Sequence, residues 1–325
     1  MKKKIYLLMA AALLLAGCEK EIPLDTDGIV PKPVAMGTVE EGDTLSVRLT
    51  YSRLIYGWHE EGEDYMFDAI DNATVGLTVN GVAQGVVTVN DSGTYVTGYV
   101  PQEGDRIDMK VTVPGHEALT ASTVVPKKPV VTGLRVTEGG TVNWIKNYDI
   151  RFTLADPAGE ENYYAVRLYV YDTSVYSYTD ENGDEVYDTM GSGPEIMLFS
   201  CNDAAVSSFG VTEVDIDAST EGDLTELYFT DENINGENHE IRLTGSCGYY
   251  YGPEEEGFTL NKYIEVEVVA LSRDRFLYEQ SVESARGDGG DFFVEPTQVH
   301  CNVTNGIGIF AALSRARIRT EVNEN

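Results

Sequence analysis

The sequence predicts an all-β protein: an N-terminal immunoglobulin-like or transthyretin-like sandwich followed by a larger β-rich domain with one helix. Three observations carry this expectation. Apolar residues recur at every second position in successive short runs, as in Leu45, Val47, Leu49 and Tyr51, which places them on one face of a strand. Turn-forming pairs such as Asn80-Gly81 and Asn182-Gly183 interrupt those runs where tight hairpins need positive φ. Only one segment, Ser272 to Ala285, has its apolar residues at helical spacing. The chain of 325 residues, 42% hydrophobic, is long enough for two ordinary cores. Its 54 Asp and Glu against 23 Lys and Arg give a formal charge of -31, which repels phosphates and excludes nucleic acid as a partner.

The first element is an export signal. Lys2, Lys3 and Lys4 precede the apolar run Ile5 to Ala16, and Leu15-Ala16-Gly17-Cys18 follows. A basic start, an apolar core and small residues before a cysteine predict a lipoprotein signal peptide over residues 1–17, with Cys18 as the acylated residue. Cleavage there removes three lysines and takes the charge from -31 to -34. Several acyl chains, at about 0.8 kcal/mol per buried methylene, anchor a protein to a membrane without a spanning helix. Residues 18–33 read as an acylated tether. Its start, Glu19-Lys20-Glu21, resembles the export signal by which Bacteroidota lipoproteins reach the cell surface.

Residues 34–126 form the first expected domain. Strands are expected at Val34 to Val39, Leu45 to Tyr51, Val75 to Val79, Val86 to Val89, Tyr95 to Tyr99, Ile107 to Val113 and Leu119 to Val125. Seven strands in about 92 residues match the size of a small sandwich. Pro126-Lys127-Lys128-Pro129 lacks periodicity and is stiffened by its prolines, so a domain boundary is placed there.

The second domain, residues 130–325, opens its alternation at Tyr148, Ile150, Phe152 and Leu154 and repeats it at Tyr164, Val166, Leu168 and Val170. Asn182-Gly183, between Tyr176 to Tyr178 and Val186 to Tyr187, predicts the tip of a protruding hairpin with partly exposed tyrosines. Further strands are expected at Leu224 to Phe229, Glu240 to Leu243, Ile264 to Ala270 and Ile307 to Ala311. In the helix, Ser272 is the expected N-cap, and Tyr278, Val282 and Ala285 are its expected apolar stripe.

Several stretches together resemble the Bacteroidota lipoproteins grouped as the domain-of-unknown-function 4249 family. They are Cys18-Glu19-Lys20-Glu21-Ile22, Gly104 to Val113 with Thr120 to Pro126, Asp156-Pro157 with Glu161-Asn162-Tyr163-Tyr164, and Glu295-Pro296-Thr297-Gln298-Val299 with Asn305-Gly306-Ile307-Gly308-Ile309-Phe310. The stretch Phe229 to Gly236 is similar too, with Ile234 where an aromatic is expected. The resemblance implies an outer-membrane lipoprotein, often associated with TonB-dependent transporters. It carries over no catalytic residue.

Asp231, Asn233, Asn235 and Gly236 match the first half of a calcium loop, but Arg242 stands where an EF-hand needs a bidentate Glu. A turn rich in Asx hydrogen bonds is the preferred reading, with calcium as the only cofactor the pattern suggests. His59, His116, His239 and His300 lack the paired spacing of a zinc site. No G-x-S-x-G elbow occurs, and Gly306-Ile307-Gly308 lies in a β-rich tail unsuited to cradling phosphate. Cys201 and Cys247 are the expected disulfide in an oxidising compartment, leaving Cys301 over.

The sequence therefore predicts a noncatalytic protein that captures a solute or docks on a TonB-dependent transporter at the cell surface. The alternative is a structural or adhesive surface component whose aromatic hairpin meets another surface protein. Contacts are expected from Tyr249, Tyr250 and Tyr251, in a loop with Glu254, Glu255 and Glu256, and from Trp58 beside an acidic stretch. Exposed aromatics provide wide contact area at little rotamer cost.

Overall fold

The computed structural model describes residues 30–53, 67–85, 88–90, 92–142, 145–191, 193–206, 209–212, 224–248, 259–287 and 297–322. Lys32–Asn325 forms one compact unit. The described residues are largely β-stranded, with one helix among them.

The N-terminal strands are β1 (Pro33–Glu40), β2 (Ser46–Tyr51), β3 (Thr74–Val79), β4 (Val82–Ala83), β5 (Thr88–Val89), β6 (Thr94–Val96), β7 (Arg106–Thr112) and β8 (Leu119–Val124). They are followed by β9 (Val130–Val142), β10 (Ile145–Ala155), β11 (Tyr163–Thr179), β12 (Glu185–Gly191), β13 (Glu195–Ile196), β14 (Leu198–Cys201) and β15 (Phe209–Thr212). The chain ends with β16 (Leu224–Thr230), β17 (Asn238–Gly248), β18 (Thr259–Leu271), helix α1 (Arg273–Gly287) and β19 (Ile307–Val322).

Strands β4, β3, β7 and β8 form a small sheet in that order. The others join one large sheet whose main path runs β5-β6-β2-β1-β19-β18-β11-β16-β14-β17-β10-β9. All its pairings are antiparallel except β1 with β19, which run parallel from Val34 opposite Ile307 to Glu40 opposite Leu313. Alternation explains which side chains go inward. In β10 every second residue is buried, and Tyr148, Ile150, Phe152 and Leu154 are at most 1% exposed.

Two principal apolar clusters result. One joins Val75, Leu77, Ile107 and Met109 of the small sheet to Val47, Leu49 and Tyr95 of the large one. The other gathers alternate residues of β10, β11 and β18, namely Tyr148, Ile150, Phe152 and Leu154, Tyr164 to Val170 at even positions and Ile264 to Ala270 at even positions, into one core. Strand β19 serves both: Phe310 and Ala312 enter the first, Ile318 and Val322 the second. Burying a side chain such as Phe310 contributes about 1.5–3 kcal/mol.

Three expectations change in detail. The Asn80-Gly81 turn, with φ of 50° and 80°, returns through Val82–Ala83, whereas Thr88–Val89 pairs with β6 in the other sheet. A two-residue turn brings the chain back at once, so the return strand starts earlier than the run of valines suggests. In α1, Ser272 caps as expected, its Oγ accepting from Arg275 N at 3.4 Å, but the buried anchor is Phe276 at 4% exposure. Tyr278, Val282 and Ala285 are only half-buried, because α1 meets the sheet mainly at its first turn, where Phe276 packs with Tyr163, Tyr228 and Leu313. Strand β9, unanticipated, borders β10 with two register shifts.

Candidate functional site

Two of the motif stretches meet at one corner. Asp156, just after β10, accepts a hydrogen bond from Tyr164 Oη at 2.7 Å and another from Gly236 N at 2.9 Å. Asp231, just after β16, accepts through Oδ2 from Asn162 Nδ2 at 3.2 Å and Asn235 Nδ2 at 2.9 Å. Asn235 Oδ1 accepts from Gly159 N at 3.1 Å, and Asn233 Nδ2 turns away toward Ala205 O. The amides thus spend their hydrogen bonds on closing loops, which is what Asx-rich turns do. Asp231 and Asn235 are brought together, whereas Asn233 is not part of that pair. Burial raises the Asp156 carboxyl above its ordinary value, against the lowering effect of Gly236 N–H and Tyr164 Oη–H. This corner holds β10, β11, β16 and β17 in place.

The outer face of the large sheet carries a charge network. Glu267 of β18 is 0% exposed and lies 2.6 Å from Arg317, 3.4 Å from Arg167 and 3.6 Å from Arg315. Arg167 also meets Glu226 at 2.7 Å, and Arg315 Nη2 donates to Glu40 at 2.9 Å. Burial raises the Glu226 carboxyl although Arg167 lies beside it. Arg319 sits over the rings of Tyr171 and Tyr263 at 5.6 and 5.2 Å. Arg315, Arg317 and Arg319 share this face because they alternate along β19, a spacing visible in the sequence, but their acidic partners are distant in the chain.

A third cluster surrounds α1. His300 Nε2 lies 2.8 Å from Asp274 Oδ1, and Asn302 Nδ2 donates to Asp274 Oδ2 at 3.1 Å. Asn302 also exchanges two hydrogen bonds with the backbone of Phe310. A groove of about 680 Å3 on one side is lined by Thr78, Lys110, Ser122 and Asp274. Another of about 560 Å3 is lined by Ser281, Gln298, His300 and Cys301. No sequence signal joined Asp274 to His300. Among the described residues, no three His, Cys, Asp or Glu side chains form a metal-holding group.

Among the described residues, β11 continues beyond its pairing with β18 as an arm formed with β12. Its register with β18 ends at Val175 opposite Thr259, while its register with β12 runs to Thr179 opposite Glu185. The tip is the Asn182-Gly183 turn, where Asp180 Oδ1 accepts from Asn182 N and Asp184 N at 2.8 and 2.9 Å. The Asp184 amide, with those of Asn182 and Gly183, holds the Asp180 carboxyl below its ordinary value. Tyr178 and Tyr187 are 49% and 65% exposed.

The motif stretches that lie among the described residues thus build corners and seams. The family described as a domain of unknown function, DUF4249, matches residues 19–319. The chain belongs to this family. None of the curated proteins matches it. In this DUF4249 member the glycine motif of β19 has a steric cause. Gly308 has φ of 122°, and a Cβ there would lie 2.0 Å from Ala35 O.

Cys18, Trp58, Tyr249, Tyr250 and Tyr251 lie outside the described residues. The expected pairing of Cys201 with Cys247 does not form in the structure. Cys201 stands opposite Leu243, four positions along β17 from Cys247. At about 3.4 Å per residue this separation is about 13 Å, beyond the roughly 7 Å limit for a bridge. Burial pushes the Cys201 thiol up, so it reacts slowly until unfolded. Alkylation of unreduced, denatured protein should therefore label Cys201, read by peptide mass mapping; a Cys201–Cys247 peptide pair would contradict the structure.

Proposed function

We propose that this DUF4249 member is a noncatalytic lipoprotein of a Bacteroidota outer membrane, exposed at the cell surface, where it captures a solute or serves as accessory partner of a TonB-dependent transporter. The observation that carries the reading is Leu15-Ala16-Gly17-Cys18 behind a basic and apolar leader. Family membership and the β-rich body support it, as do the arm and the aromatic loop expected at Tyr249 to Tyr251. The N-terminal half is read as an immunoglobulin-like or transthyretin-like sandwich, supported by two sheets sharing one apolar cluster, with a division at Pro126–Pro129. Calcium remains a proposal at Asp231.

A structural or adhesive role is the second reading, favoured by the exposed tyrosines of the arm. Cys18→Ala should abolish acyl labelling and release the protein from washed membranes; retention after a high-salt wash would refute the anchor. Pull-down of the wild-type protein from detergent-solubilised outer membranes should recover a TonB-dependent transporter near stoichiometry. Recovery of other surface proteins alone would favour the adhesive reading. Turnover of a substrate by purified protein would overturn the noncatalytic assignment.

A further inference from the structure

Charge is unevenly placed along this chain. Between Arg167 and Arg242 there is no Lys or Arg, while residues 168–241 contain eighteen Asp and Glu. The arm lies within that stretch. Beyond Val175 its only strand partner among the described residues is β12, and no described strand pairs with the outer edge of β12. Glu181, Asp184, Glu185 and Asp188 are exposed around the tip.

Two further features make the arm a contact element as well as an acidic one. Tyr178 is opposite Val186, so Tyr187, one position on, faces the other side of the ribbon. Among the described side chains, each face therefore presents an exposed tyrosine, the residue type that anchors interfaces through a broad ring and a polar tip. The tip is also pre-organised. Asp180 closes it with two backbone N–H bonds, and Gly183 has φ of 87°, so little ordering is left to offset binding.

We propose that the β11–β12 arm is the docking element through which the protein meets a partner-protein surface rich in Lys and Arg. This deepens the accessory-partner reading and rests on it. The carboxylates steer the encounter, since opposite charge raises association rates and like charge suppresses wrong partners. The tyrosines supply the short-range contact that keeps the complex together. Anionic lipid headgroups are repelled by the same charge, which selects protein as the occupant.

The test separates the arm from bulk acidity. One variant carries Glu181→Gln, Asp184→Asn and Glu185→Gln. A control has the same charge change at exposed positions elsewhere, Glu117→Gln, Glu232→Gln and Glu321→Gln. A third carries Tyr178→Ala with Tyr187→Ala. The probe is a short fluorescent peptide alternating Lys with Thr and Val, titrated into full-length mature protein at about 50 and about 300 mM NaCl. Arm neutralisation and the tyrosine variant should each weaken binding about tenfold, the control less than about twofold, and high salt should weaken the wild type.

Equal losses in arm and control variants, or none in either, would overturn the proposal. The same proteins are used for outer-membrane pull-down. A transporter recovered by wild type but lost by both arm variants supports the docking role. A transporter still recovered by both arm variants overturns it and leaves the accessory reading standing. If wild type recovers no transporter, the accessory reading fails, and the peptide titration alone decides whether the arm binds basic protein.

Discussion

Replacing Gly308 with alanine is expected to cost about 4 kcal/mol or more, lowering the melting temperature by about 8 °C or leaving the chain insoluble. A Cβ at this position would lie 2.0 Å from Ala35 O and 2.9 Å from Ala35 C. Both contacts are with backbone, so no rotamer relieves them. Ala35 is also the register partner of Gly308 across the parallel seam, and separating the strands to admit a methyl group breaks the ladder on either side. Phe310, two positions on and 0% exposed, is displaced from its cluster in the process. Gly76→Ala is the contrasting variant. Its added Cβ would meet Lys110 O at 3.7 Å, an ordinary contact, so thermal melting should change by less than about 2 °C.

Asp156→Ala is expected to cost about 2 kcal/mol, because it orphans the buried donor Tyr164 Oη–H, at roughly 1–3 kcal/mol, and also removes the acceptor of Gly236 N–H at an exposed turn. The loss also varies with pH. Burial raises the Asp156 carboxyl above its ordinary 3.8, so the folded chain holds that proton more tightly than the unfolded chain. The linked stability is fully present below pH 3.8 and is lost as pH rises through the raised value. Asp105 has the opposite sign. Burial alone would raise it, but hydrogen bonds from Tyr99 Oη–H, Gln102 N–H and the Asn80 amide bring it below 3.8. Its contribution is present above pH 3.8 and is lost as pH falls through the lowered value. Denaturant titrations at about pH 4 and pH 8 should therefore show the gap between wild type and Asp156→Ala narrowing toward pH 8. The gap for Asp105→Ala should narrow on acidification below 3.8; parallel trends in the two variants would contradict the assignment.

Strands with one fully apolar face were legible in the sequence. Tyr148 to Leu154 and Tyr164 to Val170 alternate without interruption, and the structure buries their even-numbered residues. The hairpin tip at Asn182-Gly183 was legible for the same local reason, since only a few residues accept its backbone. Strand β9 was not. Gly133, Gly139 and Gly140 break its periodicity, and its register shifts against β10 move Val131, Leu134 and Val136 off a strict period of two. The candidate surfaces divide similarly. Exposed tyrosines on a hairpin follow from local pattern, whereas Glu267 meets Arg317 and Arg167 from fifty and one hundred positions away. Pairwise chemistry at that range leaves no mark on local periodicity. The Cys201–Cys247 expectation failed because proximity to turns says nothing of offset along adjacent strands.

The parallel seam also governs when this chain can fold. Val34 finds its partner only at Ile307, 273 positions later, and Phe310 and Ala312 fill the cluster that β2, β3 and β7 begin. A chain delivered N-terminus first therefore reaches its last strand with its first sheet still lacking a neighbour. Closure over so long a separation is slow, and until it happens the unpaired edge of β1 invites association with other chains. Folding of the front half is thus deferred until synthesis is finished, so the early strands stay open to association for the whole time that the chain is being made.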